Sequence, residues 1–347
     1  MLKSLVCFLA VMMLYGFTSH IATPYKFPYL HLFPPMPVAE DNPVTNEGVE
    51  LGRSLFYDPI LSRDSTVACA SCHKQEAAFS GAPDAFSKGL GDVLQKRNTP
   101  PLFNLAWYPA LFWDGRAATL EEQVFHPVRA HDEMALNWSD AVKRITQSKY
   151  YMSRFAIAFP GKTVDSILIA NAIAQFERTL LSYRSKYDMV LANKASFSKD
   201  EADGFEIVNE MTMGDCLHCH TTDANPLGTT LGFSNNGLDA TYNDIGRGGI
   251  TAKKEDNGKF KIPSLRNLSF TAPYMHDGRF RTLEEVLDFY SEHVQDGINT
   301  DSKMGFANRG GAHLTKEQKR KVVAFLITLN DSVFIKDSQH ANPFMLP

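Results

Sequence analysis

The chain has 347 residues, 44% of them apolar, which is enough for two domains with their own cores. Its 35 basic and 39 acidic side chains leave a formal charge of −4 with no long run of either sign. That balance excludes the basic face of a nucleic-acid protein and the composition of a disordered one, and 5 cysteines are too few for a disulfide scaffold.

In chain order, Lys3 precedes an apolar run from Leu5 to Phe17. The run suits a secretory h-region better than a membrane span of about 20 residues. Residues 1–22 therefore read as a signal peptide that removes Cys7, and the mature protein as periplasmic; an uncleaved anchor is the rival reading. Six of the 18 prolines fall between Pro24 and Pro43, so residues 23–44 form an extended arm rather than a helix. Val49, Leu51, Leu55 and Phe56 lie on a helical stretch ahead of Cys69. Val164 to Leu191 reads as one long helix joining an N-terminal unit, residues 45–195, to a C-terminal unit, residues 196–340. Ser198 and Glu201 make a capping box for a helix running towards Cys216, and Thr315 and Gln318 cap another that carries Val322, Phe325, Leu326 and Leu329. Strand signals are few, and the expected fold is mostly α with long loops and little β.

The four remaining cysteines stand as Cys69-Ala-Ser-Cys72-His73 and Cys216-Leu-His-Cys219-His220. Each is C-x-x-C-H, the pattern for covalent attachment of haem c. Two thiols one helical turn apart add to the porphyrin vinyl groups, and the adjoining imidazole binds the iron. A zinc site from two C-x-x-C pairs would not account for a histidine after each pair. The chain is thus expected to hold two haems, with Cys69, Cys72 and His73 at one and Cys216, Cys219 and His220 at the other.

Shifted by 163 residues, the segment from Pro100 to Glu122 matches the segment from Pro263 to Glu285 at 11 of 23 positions, including Asp-Gly-Arg-x-x-Thr-Leu-Glu-Glu in both. Two cytochrome c-like haem domains related by internal duplication follow. In the same register Pro127 falls opposite Tyr290. A phenol can ligate iron and a proline cannot, so the second haem is expected to be six-coordinate through His220 and Tyr290, and the first five-coordinate through His73 alone. Met275, Met304 and His293 are rival donors for the second iron. His126 and His131 flank the first site as partners for a propionate or a proton. Asp114 and Arg116, like Asp277 and Arg279, read as turn and propionate partners.

The run Phe112-Trp-Asp-Gly-Arg-Ala-Ala-Thr-Leu-Glu-Glu-Gln123, with Ile262-Pro-Ser-Leu-Arg-Asn267 and Ala272-Pro-Tyr-Met-His-Asp-Gly278, resembles the bacterial di-haem cytochrome c peroxidases, a family that includes MauG. The resemblance spans about residues 45 to 335. It implies that Glu133 and Gln123 are the distal acid–base pair at the peroxide-binding haem, that Pro127 packs there, and that Trp113 relays electrons between the haems. It further implies a calcium ion held by Asn98, Thr271 and Pro273, oxygen donors that suit this hard cation. Tyr290 sits where the peroxidases usually carry methionine and MauG carries tyrosine. Many of these peroxidases place a blocking histidine about 16 residues after the first haem-binding histidine, and residues 81–98 contain none here. An open first site without reductive activation is the expectation. The implied function is periplasmic reduction of hydrogen peroxide with electrons from a small cytochrome c or cupredoxin. Its alternatives are MauG-like oxidation of a partner protein's side chains and a non-catalytic di-haem electron carrier or sensor. No nucleic-acid partner is expected, and a homodimer is compatible with the sequence.

Overall fold

The computed structural model describes residues 22–345, so the signal-peptide reading falls, save for its last residue, outside the described chain. Among the described residues no helix is long and apolar enough to cross a membrane. The helices are α1 (Asn46–Tyr57), α2 (Cys69–Cys72), α3 (Leu120–Arg129), α4 (Trp138–Gln147), α5 (Lys149–Ala158), α6 (Ser166–Arg178), α7 (Lys186–Leu191), α8 (Lys199–Asn209), α9 (Gly248–Thr251), α10 (Leu283–Glu292) and α11 (Lys316–Ile327). The one sheet among the described residues pairs β1 (Phe233–Ser234) with β2 (Phe260–Lys261), antiparallel. The fold is mostly α, and loops carry much of the chain.

Each half is built on two crossing helices. In the first, Thr45 caps α1 by accepting from Gly48 N–H at 3.0 Å, and α1 buries Val49, Leu51, Leu55 and Phe56. It lies so close to α6 that a Cβ at Gly52 would collide with the Ala172 carbonyl oxygen. In the second half a Cβ at Gly204 on α8 would collide with the Lys321 carbonyl oxygen on α11. The capping boxes at Ser198 and Thr315 open these two helices, as their spacing predicts.

The repeat is structural as well as sequential. Thr119 and Thr282 cap α3 and α10, each accepting at 3.1 Å from the amide three residues on. Asn104 and Asn267 adopt left-handed φ of 55° and 61°, and Gly115 and Gly278 φ of 75° and 66°. The bridges Leu111–Ala117 and Tyr274–Phe280 complete the match.

The single helix expected over residues 164–191 does not form. α6 stops at Arg178, residues 180–184 run without helix, and α7 starts afresh with a capping box between Ser185 and Asp188. Tertiary hydrogen bonds outcompete the helix here. The Asn104 side chain holds both the N–H and the carbonyl of Ser182 at 3.0 Å, and Asp331 Oδ2 accepts from the Tyr183 and Arg184 amides at 2.9 Å. The fully buried Arg266 pairs with Asp188 behind this stretch.

The proline-rich arm runs along the body. Tyr25 N–H donates to the Val44 carbonyl at 2.9 Å, Tyr25 and Phe27 pack on the α1–α6 core, and Phe33 rests on Trp107. After α11 the chain returns to the first half, where Phe334 and His340 pack against Phe79.

Because backbone rather than side chain fills both helix crossings, Gly52→Val and Gly204→Val should each lower stability by about 2 kcal/mol or more. A thermal melt reads this as a clear fall in Tm, with little change for Ile167→Ala on the exposed face of α6. An unchanged Tm in either valine variant would mean that the helices can part.

Candidate active site

Two cavities lie in the halves, one beside each C-x-x-C-H. The first, of about 1190 Å³, is lined by Cys69, Cys72 and His73 from α2 and its end, by Gln123 and Pro127 from α3, and by Glu133. The second is narrower, about 230 Å³, and is lined by Cys216, Cys219, His220 and Tyr290. His73 Nδ1 lies 2.8 Å from the Phe79 carbonyl and His220 Nδ1 3.0 Å from the Pro263 carbonyl. A carbonyl only accepts, so each Nδ1 carries the proton and each Nε2 keeps its lone pair for a metal. Burial pushes both imidazoles down to about 4 and holds them neutral, as iron ligands must be. Burial also pushes the Cys216 thiol up to about 12 and the Cys69 thiol higher still, so all four sulfurs sit as neutral groups suited to thioether bonds. Among the described residues no three His, Cys, Asp or Glu side chains gather to hold a metal by themselves, so the cysteine pairs do not make one zinc site. The residues fit two covalent haems.

The first cavity has an acid in place and no donor side chain at Pro127. Pro127 lies inside α3, and the chain then turns so that Met134 N–H reaches the Pro127 carbonyl at 3.2 Å and Leu136 N–H the Val128 carbonyl at 2.8 Å. Glu133 sits on this turn and lines the cavity. Burial pushes its carboxyl up to about 6 against the pull of the Arg116 guanidinium. The histidine-free loop is clamped to the same turn: Leu90 N–H donates to the Glu133 carbonyl at 2.8 Å and Gln95 Nε2 to the Asp132 carbonyl at 2.5 Å. His126 lines this cavity with its ring edge on Phe112, 5.3 Å between centroids. His131 is 95% exposed beside Asp132, and it drops out as a partner for the site.

In the second cavity Tyr290 Oη accepts from Asn236 Nδ2 at 2.9 Å. Burial pushes this phenol well above its ordinary range, and the Asn236 bond works in the other direction. Met275 and Met304 line the same cavity, whereas His293 is exposed and lines neither. Asn236 had no signal in the sequence beyond an Asn-Asn-Gly turn. Glu177 on α6, also unforeseen, lines the first cavity with Oε2 unpaired, and burial pushes it up to about 8.

Between the cavities stands a shared wall of Asn98, Pro101, Trp113, Lys261 and His276, each of which lines both. Four of the five are repeat partners, Asn98 with Lys261 and Trp113 with His276, again 163 residues apart. They bond across the repeat: Asn98 N–H donates to the His276 carbonyl and Lys261 N–H to the Trp113 carbonyl, both at 2.7 Å. Trp113 Nε1 donates to the Asn98 carbonyl at 2.8 Å, and His276 stacks on Phe260 with centroids 3.7 Å apart. Thr271 and Pro273 line the second cavity with Asn98, whose Nδ2 is tied to the Ala85 carbonyl at 3.1 Å, leaving Oδ1 as the end available to a cation. Asp114 and Asp277 act as turn partners, bonding Arg116 and Arg279, and Arg97 joins the halves by pairing with Asp114 and Asp244.

Residues 46–196 match the family model for di-haem cytochrome c peroxidases. The chain is 36% identical to the methylamine utilization protein MauG of Methylorubrum extorquens, over 85% of this chain and 81% of that one. It is 32% identical to cytochrome c551 peroxidase of Nitrosomonas europaea, over 85% and 84% of the two chains. Among solved structures, a MauG-like protein associated with microbial copper homeostasis superposes with a TM-score of 0.83 at 31% identity, covering 92% of this chain and 99% of that one. With the cysteine pairs, the neutral histidines and the duplicated turns in place, the chain belongs to the di-haem cytochrome c peroxidase family, which implies two haem cofactors and a peroxidase-type oxidoreductase.

Proposed function

We propose that the chain, exported to the periplasm, reduces hydrogen peroxide at the site held by His73 and passes the resulting oxidising equivalents through Trp113 to the site held by His220 and Tyr290. The observation that carries this is the difference at one repeat position: Pro127 in one cavity, the Tyr290 phenol in the other. Bound haem would supply the two-electron cleavage of the O–O bond. Glu133, with its carboxyl raised towards neutrality, takes a proton from one peroxide oxygen and returns it to the departing one. Gln123, on the same cavity wall, orients the peroxide by hydrogen bonding. Trp113 bridges the cavities as the relay, held by its bond to Asn98. Asn98, Thr271 and Pro273 would hold a calcium ion through oxygen donors.

The electrons come from a small cytochrome c or cupredoxin in this reading. Tyr290 favours a second: a phenolate there would stabilise ferric and higher iron over ferrous, and a haem held at that site would be a poor port for ordinary donors and a good store for oxidising equivalents. Such a store suits MauG-like oxidation of a partner protein's side chain. Turnover of peroxide with reduced cytochrome or cupredoxin supports the first reading. Its absence, with peroxide-dependent modification of a co-expressed partner, supports the second.

Electron paramagnetic resonance of the resting ferric protein should give one high-spin and one low-spin signal, and Tyr290→Phe should alter the low-spin signal alone. Two low-spin signals would mean that the first site is closed.

Glu133 must be ionised to accept the proton. Below about 6, kcat/KM for peroxide should therefore fall towards tenfold per pH unit, and it should level off above. Glu133→Gln should abolish that limb and slow turnover by about 10²–10⁴-fold, both read by stopped-flow kinetics. Undiminished turnover would remove Glu133 from the chemistry.

A further inference from the structure

The shared wall contains one charge that nothing in the described chain neutralises. Most cations lining the cavities are already paired: Arg97 with Asp114 and Asp244, Arg116 with Asp114, Arg266 with Asp188, and Arg279 with Asp239 and Asp277. Lys96, Arg129 and Lys303 are exposed to water. Lys261 belongs to neither group. It is 6% exposed, has no carboxylate within ion-pair distance among the described residues, and sets its Nζ 4.6 Å from the centre of the Tyr108 ring. A ring face attracts an ammonium but does not discharge it. An unpaired charge away from water is costly, so such a group either loses its proton or meets an anion.

The repeat sharpens the point. Lys261 occupies the position that Asn98 occupies in the first half, and the two are tied by equivalent backbone bonds to His276 and Trp113. On one side the wall presents a neutral amide, which can only borrow a cation from solution. On the other side the chain carries its own. Each haem brings two propionate carboxylates, and Lys261 is the one buried, uncommitted cation among the described residues lining both cavities.

We propose that Lys261 is the countercharge for a haem propionate where the two cavities meet, and that it holds up the reduction potential of that haem. The inference rests on the di-haem reading. A fixed cation beside a propionate offsets negative charge that would otherwise stabilise ferric iron, so removing it favours the oxidised state.

The test uses the full holoprotein in three forms: wild type, Lys261→Met and Lys261→Arg. A haem count by pyridine haemochrome comes first; fewer than two haems in the wild type defeats the di-haem reading itself. With two haems present, optical redox titration should show Lys261→Met lowering the ferrous-to-ferric ratio of at least one haem by about tenfold or more at a fixed potential, while Lys261→Arg stays near wild type. Unchanged potentials in Lys261→Met overturn the inference and leave the di-haem reading standing. Equal shifts in the Met and Arg variants also overturn it, since shape rather than charge would then be responsible. If Lys261→Met fails to accumulate, Lys261→Gln is compared with Lys261→Arg, and equal potentials in those two overturn the proposal in the same way.

Discussion

Two backbone hydrogen bonds join this molecule's halves at the wall between the cavities: Asn98 N–H to the His276 carbonyl and Lys261 N–H to the Trp113 carbonyl. They are repeat equivalents of one another, so the duplication closes on itself through them. Because backbone groups make the bonds, the side chains of the same four residues are free to face the cavities. The wall is polar in places and common to both cavities. This pairing leaves Trp113 lining both cavities at once.

Around that nearly symmetric wall the two sites have been made unlike. α3 and α10 begin with the same threonine cap and the same Leu-Glu-Glu, differ from Gln123 and Val286 onward, and set Pro127 opposite Tyr290. Proline brings no lone pair and no N–H, and after it α3 gives way to a turn that presents Glu133. Tyrosine brings a phenol, and Asn236 steadies it at 2.9 Å. The result is one cavity lined by the Glu133 carboxyl and another lined by the Tyr290 phenol. Two hydrogen bonds clamp the 89–95 loop onto the Glu133 turn beside the first cavity.

Legibility in the sequence followed the range of the forces involved. The C-x-x-C-H motifs, the capping boxes at Ser198 and Thr315 and the 163-residue repeat are local patterns, and the structure has helices and turns where they stand. The helix assumed over residues 164–191 failed because Asn104 and Asp331, distant in sequence, capture the backbone of residues 182–184. The Ser185–Asp188 capping box was a local signal for the new start and went unread. His131 and His293 looked like candidates by proximity in the chain, but both point to solvent.

The sequence by itself carried the two C-x-x-C-H motifs, the doubling of the unit and the placing of Pro127 opposite Tyr290, because motif spacing and helix capping depend on residues a few places apart. Only the tertiary structure decided that Trp113, His276, Asn98 and Lys261 share one wall, that Asn236 meets Tyr290, and that Lys261 is left without a carboxylate. Those outcomes depend on burial and on contacts between residues 54 to 178 positions apart, and chain spacing carries no record of which distant groups exclude water together.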